Sequence, residues 1–300
     1  FMSTLQETIN LLENNQERPS SEEALNVSEK ELNNAASKMG SIIVPRGDYI
    51  DTHNEALPIM ENMIYWLIQE TEGDGTRYYI FARDAEMAYD ALWGKLGGKT
   101  KDLSEKLTLI NTSLGMRDPN PEYFHQMGLN DQEIKNGLNP VFIDSGFRGS
   151  MFDKVKSWSK INEKSRKTIR GFLFSKIDTS PYLSINFLNN LTPQELEKFE
   201  NQSKKVHNVE YTNYSNFTSF EKRRGYAICA YMQTTPKATN RFIKTVQNKE
   251  GQWKSIPEES FLDHSNYLCN NRSPTFVNAD IVDPVIALAL QQLTLKYFSK

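Results

Sequence analysis

Val141-Phe-Ile-Asp-Ser-Gly-Phe-Arg-Gly-Ser150 begins with three apolar residues and ends in a polar turn flanked by glycines. A short unbroken apolar run bounded by turn residues is the pattern of a strand covered on both faces, as in a parallel sheet. Gly146 and Gly149 lack the Cβ that would hold an anion away from backbone N–H groups. The stretch therefore reads as a buried strand running into a phosphate-sized loop at a helix start. The following helix is predicted over Ser150 to Ile161, with Met151, Val155 and Trp158 as its apolar positions.

Outward from this stretch the same alternation repeats. Arg77-Tyr-Tyr-Ile-Phe-Ala82 reads as a first strand, and Asp84 to Leu96 as a helix with Met87, Ala88, Ala91, Leu92 and Leu96 on one stripe, ended by Gly97-Gly98. Leu107 to Thr112 reads as a second strand, residues 121–137 as a small helical insertion, and Thr168 to Ser175 as a fourth strand. Ile59, Met63, Trp66 and Leu67 give residues 54–70 the spacing of a packing helix. Further helices are predicted over 193–206 and 218–232, and one after Asp283-Pro284, an N-cap followed by a proline at N1. Strands alternating with helices imply an α/β fold: a mostly parallel sheet flanked by helices, with an additional helical C-terminal portion. The expected organisation is a flexible polar arm over 1–40, an α/β core with the site over 41–180, and a mainly helical cap over 181–300 packed on the core.

Composition narrows the function classes. A net charge of −3, from 35 basic and 38 acidic side chains, supplies no field that draws the chain to nucleic acid or an anionic membrane. No apolar run is long enough for a membrane span. Cys229 and Cys269 form neither a disulfide framework nor a zinc spacing, so a cytoplasmic or other reducing compartment is expected, with secretion by a route independent of a signal peptide left open. The four histidines, His53, His125, His207 and His264, have no ligand spacing and read as structural or exposed. A Gly-x-Ser-x-Gly elbow and a Walker A loop are both absent from the sequence.

In open parallel sheets the ligand crevice lies beyond the carboxyl ends of the strands. The candidates are thus Arg83 and Asp84 after the first strand, Asn111, Thr112, Ser113, Arg117 and Asp118 after the second, and Asp144 to Ser150 after the third. Asp144, Arg83 and Asp84 are the expected catalytic groups. Ser145, Gly146, Arg148, Gly149 and Ser150 are the expected phosphate ligands, through loop amides, the helix dipole and the Arg148 guanidinium. Asp144 is also the expected ligand for Mg²⁺, because a carboxylate ending an apolar strand needs a partner or a crevice. Structural alternatives stand beside these roles: Asp84 as an N-cap, Ser150 with Asp153 as a capping pair, and Arg117 with Asp118 as a turn pair.

Ile143-Asp144-Ser-Gly-Phe-Arg-Gly149-Ser resembles a degenerate phosphoribosyltransferase loop, in which a hydrophobic strand ends in two acids and a Thr-Gly-x-Thr turn. The resemblance implies that Asp144, as the first acid, binds ribose hydroxyls of phosphoribosyl pyrophosphate and that Gly149 is the turn glycine. Ser145 replaces the second acid, and Arg148 and Met151 replace the turn threonines. A second resemblance runs from about Tyr78 to Phe152, through Phe81-Ala-Arg-Asp84 and the 143–150 stretch. It is to an uncharacterised bacterial domain described with haloacid-dehalogenase-like hydrolases of surface-polysaccharide loci. The expected ligand is a phosphorylated small molecule or nucleotide, and the leading expectation is a transferase. A phosphohydrolase with Asp144 as nucleophile is the enzyme alternative, although Gly146 stands where its second carboxylate belongs. A non-catalytic interaction module with a protein partner, such as a secreted bacterial effector, is the third.

Overall fold

The computed structural model describes residues 20–32, 46–82, 85–97, 105–112, 116, 118–144, 149–174, 180–184, 192–194, 197, 243–257 and 284–300. Five strands form one all-parallel sheet: β1 (Thr76–Phe81), β2 (Leu107–Ile110), β3 (Asn139–Asp144), β4 (Arg170–Leu173) and β5 (Leu183–Ser184), in the order β2-β1-β3-β4-β5. The α/β fold expected from the alternation is the one observed. The first helix of the described chain, α1, covers Ser21–Asn26; α2 covers Arg46–Thr71 and α3 Glu86–Lys95. Between β2 and β3 lie α4 (Pro121–His125) and α5 (Asp131–Lys135), and between β3 and β4 lie α6 (Ser150–Trp158) and α7 (Glu163–Thr168). An antiparallel hairpin, β6 (Ile243–Gln247) with β7 (Trp253–Pro257), and the helix α8 (Pro284–Phe298) follow.

Side chains alternate across each strand, so one strand supplies both sheet faces. Tyr78 and Ile80 of β1, Val141 and Ile143 of β3, and Phe172 of β4 pack with Leu57, Met60, Met63, Ile64 and Leu67 of α2 and with Ala88, Ala91 and Leu92 of α3. Their neighbours in the chain, Tyr79, Phe81, Phe142 and Leu173, face the other way, onto Phe124 of α4 and Phe152 and Val155 of α6. Phe142 is fully buried and meets Tyr79 and Phe81 edge-on at centroid distances of 5.8 and 5.5 Å. Burying one such side chain contributes about 1.5–3 kcal/mol, and among the described residues this helix–sheet–helix sandwich holds most of the buried apolar side chains.

Several local expectations shift. The N-cap of α3 is Ala85, which makes no side-chain cap bond; Asp84, the capping residue expected from the sequence, lies outside the described residues. Ser150 is the first helical residue of α6 rather than its cap; the cap is Gly149, and Asp153 accepts a hydrogen bond from the Tyr182 hydroxyl instead. Thr168 ends α7 rather than opening a strand, since Asn162 caps a short helix there by accepting from the Ser165 N–H at 3.0 Å. In the polar N-terminal stretch, Ser20 and Glu23 form a reciprocal capping box that starts α1, and Ala24, Val27 and Leu32 pack against Leu288, Ala289 and Leu295 of α8. Gln292 of α8 donates to the carbonyls of Ala24 and Val27, both at 2.6 Å. This part of the arm is core, held by apolar contact and by buried backbone acceptors that find a donor. The predicted helices over 193–206 and 218–232 lie almost wholly outside the described residues.

In the described part of 181–300 the hairpin stands beside the predicted terminal helix α8 as an element the sequence reading did not expect. The hairpin is fixed to α4 and the turn before it through the Trp253 backbone and the Thr245 hydroxyl. Gln126 accepts from the Trp253 N–H at 2.9 Å and donates to the Trp253 carbonyl, while Thr245 accepts from the Asn120 N–H and donates to the Asp118 carbonyl, each at 3.1 Å. Gln126→Ala removes both Trp253 bonds and is expected to destabilise the protein by about 1–2 kcal/mol, with an early loss of amide-exchange protection confined to β6 and β7. Equal loss of protection in the parallel sheet would refute a locally fixed hairpin.

Candidate functional site

β1 and β3 are hydrogen-bonded neighbours, but the chain leaves them in opposite directions. From β1 it passes to α3, on the face shared with α2; from β3 it passes to α6, on the opposite face. Adjacent parallel strands whose helices diverge leave a crevice beyond their carboxyl ends, the topological switch point at which doubly wound sheets bind ligands. The register sets Ile80 opposite Ile143 and Phe81 opposite Ile110, so Phe81, Ile110 and Asp144 end their strands at one level.

Asp144 is the last residue of β3 and only 6% exposed. Its carbonyl accepts from the Phe174 N–H at 3.1 Å, extending the ladder to β4 and fixing the strand tip. Gly149 and Ser150 stand at the other end of the loop, Gly149 buried and Ser150 exposed at the amino end of α6. Arg83, Asp84, Ser145, Gly146 and Arg148 lie outside the described residues. In sequence they continue directly from the two adjacent strand tips. The Arg117 member of the predicted turn pair is likewise outside, and Asp118 takes a left-handed φ of 47° in the turn before α4.

Two residues at this edge, Tyr182 and Tyr123, were not singled out by the sequence. Tyr182, just before β5, packs its ring where side chains at Gly149 and Gly171 would stand, and meets Phe152 edge-on at 4.9 Å between centroids. Its hydroxyl donates to Asp153 and accepts from Lys156 Nζ at 3.4 Å, while the same ammonium lies 4.9 Å from the ring centroid. Burial, reinforced by Asp153, pushes the Tyr182 hydroxyl well above the usual tyrosine range, and burial holds Lys156 below the usual lysine range. The phenol stays protonated as a donor, so the cluster locks the first two turns of α6 rather than supplying a base. On the far side, Tyr123 of α4 donates to the Asn111 carbonyl at 3.0 Å and reaches Ser255 Oγ at 3.3 Å, joining the tip of β2 to the hairpin. Thr112, two residues past β2 and one of the candidates named from the sequence, is 9% exposed, and its hydroxyl has no hydrogen-bond partner.

Comparison with known proteins finds no matching family, no matching curated sequence and no matching solved structure.

Among the described residues no group of three or more His, Cys, Asp or Glu is placed to hold a metal ion. A single strand-tip carboxylate suits a divalent ion completed by ligand phosphates and water, which is how Mg²⁺ is commonly held, but not an ion caged by protein alone. His53 and His125 are engaged elsewhere: His53 with Thr294 Oγ1 at 2.9 Å, and His125 with the Ser159 carbonyl at 2.8 Å. No helix among the described residues is long and apolar enough to cross a membrane.

Proposed function

We propose that the chain binds a phosphorylated ribose or nucleotide beyond the carboxyl ends of β1 and β3, and that it is a phosphoribosyltransferase-like transferase. The observation that carries this reading is the switch point itself: two neighbouring parallel strands, diverging helices, and a buried carboxylate, Asp144, at the tip between them. Asp144 holds ribose hydroxyls. The amides of residues 145–150 and the Arg148 guanidinium hold the phosphate, close to the positive end of α6. Arg83 and Asp84, continuing from the adjacent strand, serve a second anion or the reacting group. Mg²⁺, bound by Asp144 together with the ligand's own phosphates, would neutralise charge on a departing pyrophosphate.

Titration calorimetry of the full chain with phosphoribosyl pyrophosphate, ribose 5-phosphate and AMP, with and without Mg²⁺, tests the reading. Binding is expected for at least the first, strengthened by Mg²⁺ and weakened tenfold or more, about 1.4 kcal/mol, by Asp144→Asn. Absence of binding by all three ligands would sink the proposal and leave the interaction-module alternative.

A further inference from the structure

We infer that the Thr112 hydroxyl is a ligand contact of the strand-tip crevice, donating to an oxygen of the bound molecule on the β2 side of β1. This rests on the strand-tip reading above and adds to it a residue, a side of the crevice and a constraint on ligand length.

A hydroxyl taken out of water without a partner is an uncompensated loss, and folded proteins keep few of them. Thr112 Oγ1 and Arg77 Nε are the unpartnered buried side-chain atoms among the described residues. They sit at opposite ends of the sheet. Arg77 is near the start of β1, where its guanidinium packs on Gly128 and donates to the Met127 carbonyl at 3.0 Å. That group has a structural task and lies far from the strand tips. Thr112 is at the carboxyl end, where the switch point is.

Its side of the sheet follows from register. Asp144 keeps the alternation of Phe142, and continuing the alternation of β2 two residues past Ile110 would place Thr112 on the same side; Ile110 and Phe142 belong to one core, on the face of α4 and α6. The ladder between β1 and β2 continues one step past the strands, with the Ala82 N–H donating to the Ile110 carbonyl at 2.9 Å. On that continuation Thr112 and Asp144 would flank β1 on one face, separated by two strand spacings and a two-residue rise, on the order of 10 Å. A ligand touching both is longer than inorganic phosphate. A ribose with a phosphate at each end, or a nucleotide, has the length. The Tyr123 hydroxyl ties the carbonyl of Asn111, the residue before Thr112, to Ser255 of the hairpin.

The test is calorimetry with phosphoribosyl pyrophosphate, ribose 5-phosphate and AMP on the full-length wild type, Thr112→Val, Thr112→Ser and Asp144→Asn, with thermal unfolding of each unliganded protein. Thr112→Val keeps the branched shape and deletes only the unpartnered hydroxyl, so its unfolding midpoint is expected to stay level or rise. Its affinity for the ligand that the wild type binds best is expected to fall about tenfold, the upper end for one neutral hydrogen bond, with Thr112→Ser close to wild type. Wild-type affinity in Thr112→Val alongside lost affinity in Asp144→Asn would overturn this inference and leave the strand-tip reading standing. A midpoint lowered by several degrees in Thr112→Val would also overturn it, by showing that the hydroxyl serves the fold. Failure of the wild type to bind any of the three ligands would overturn the strand-tip reading, and this inference with it.

Discussion

Gly149→Ala is expected to lower the unfolding free energy by about 3 kcal/mol, read as a shift of the urea midpoint at unchanged slope. Two costs add. Gly149 takes φ +73° as the N-cap of α6, a left-handed conformation that costs an L residue about 1–2 kcal/mol. A Cβ there would also fall 2.2 Å from Cδ2 of Tyr182, inside any real contact distance. The ring cannot simply swing away, because its hydroxyl is held by Asp153 and its other edge lies against Gly171. Forcing such a packed group to move costs about 1–3 kcal/mol. Gly171→Ala separates the terms: its Cβ would meet Tyr182 Cδ1 at 2.5 Å and Phe152 Cδ2 at 2.7 Å, without a positive φ. In the double variant Gly149→Ala with Tyr182→Leu, the clash is relieved and the conformational part remains. A loss below about 1 kcal/mol in Gly149→Ala alone would mean that neither the φ nor the ring contact constrains the loop's return to α6.

The glycine that returns the loop to α6 has two uses. In sequence, Gly149 is a residue without a Cβ beside an arginine, and a turn that admits a phosphate is its natural interpretation. In the structure its missing Cβ is already used by Tyr182, a contact between residues 33 positions apart that exists only because β5 pairs with β4. The two uses are compatible, since backbone N–H groups and not the Cβ would face an anion. The second use leaves no local pattern to read.

The parallel sheet was legible because its strands are short apolar runs between helical stripes, and their order followed once the pairing of β1 with β3 was known. Sequence periodicity cannot supply that pairing: β1–β2–β3 and β2–β1–β3 demand the same residues. The hairpin is a different case. Ile243-Lys-Thr-Val-Gln247 and Trp253-Lys-Ser-Ile-Pro257 alternate around a turn in which Asn248 accepts from the Glu250 and Gln252 N–H groups. That signal is local, but it is brief and lies within a half of the chain whose bulk composition reads as helix. Thr112 falls between these cases. Its place after a strand is visible in sequence, whereas its lack of a partner is a property of packing alone.

Acid is expected to destabilise the protein through His53, and most of that dependence should vanish in His53→Gln. His53 lies in α2, fully buried, sharing a hydrogen bond with Thr294 of α8, whose own hydroxyl donates to the Leu290 carbonyl at 3.0 Å. Burial drives its pKa down to about 3, partly opposed by a hydrogen bond to the Leu290 backbone. In the unfolded chain the same imidazole titrates near 6.5. Between those values the unfolded state binds a proton that the folded state refuses, so stability is full above about pH 6.5 and falls as the pH drops toward 3. The limiting slope for one proton is about 1.4 kcal/mol per pH unit, which makes the loss between pH 6.5 and 4.5 roughly 2–3 kcal/mol. Glu23 and Asp131, whose carboxyls are held below the usual range by hydrogen bonds from Ser20 and from Ser165 and Asn162, also lose their contribution in acid. They do so mainly below about pH 4.5, are mostly exposed, and are common to both proteins, so they cancel in the difference. Urea unfolding of wild type and His53→Gln at half-unit steps from pH 7.5 to 4.5 should therefore give curves that converge on acidification, whatever the variant loses at neutral pH by altered packing. Parallel curves would show that His53 is protonated equally in both states, and that the contact between α2 and α8 is wet rather than sealed.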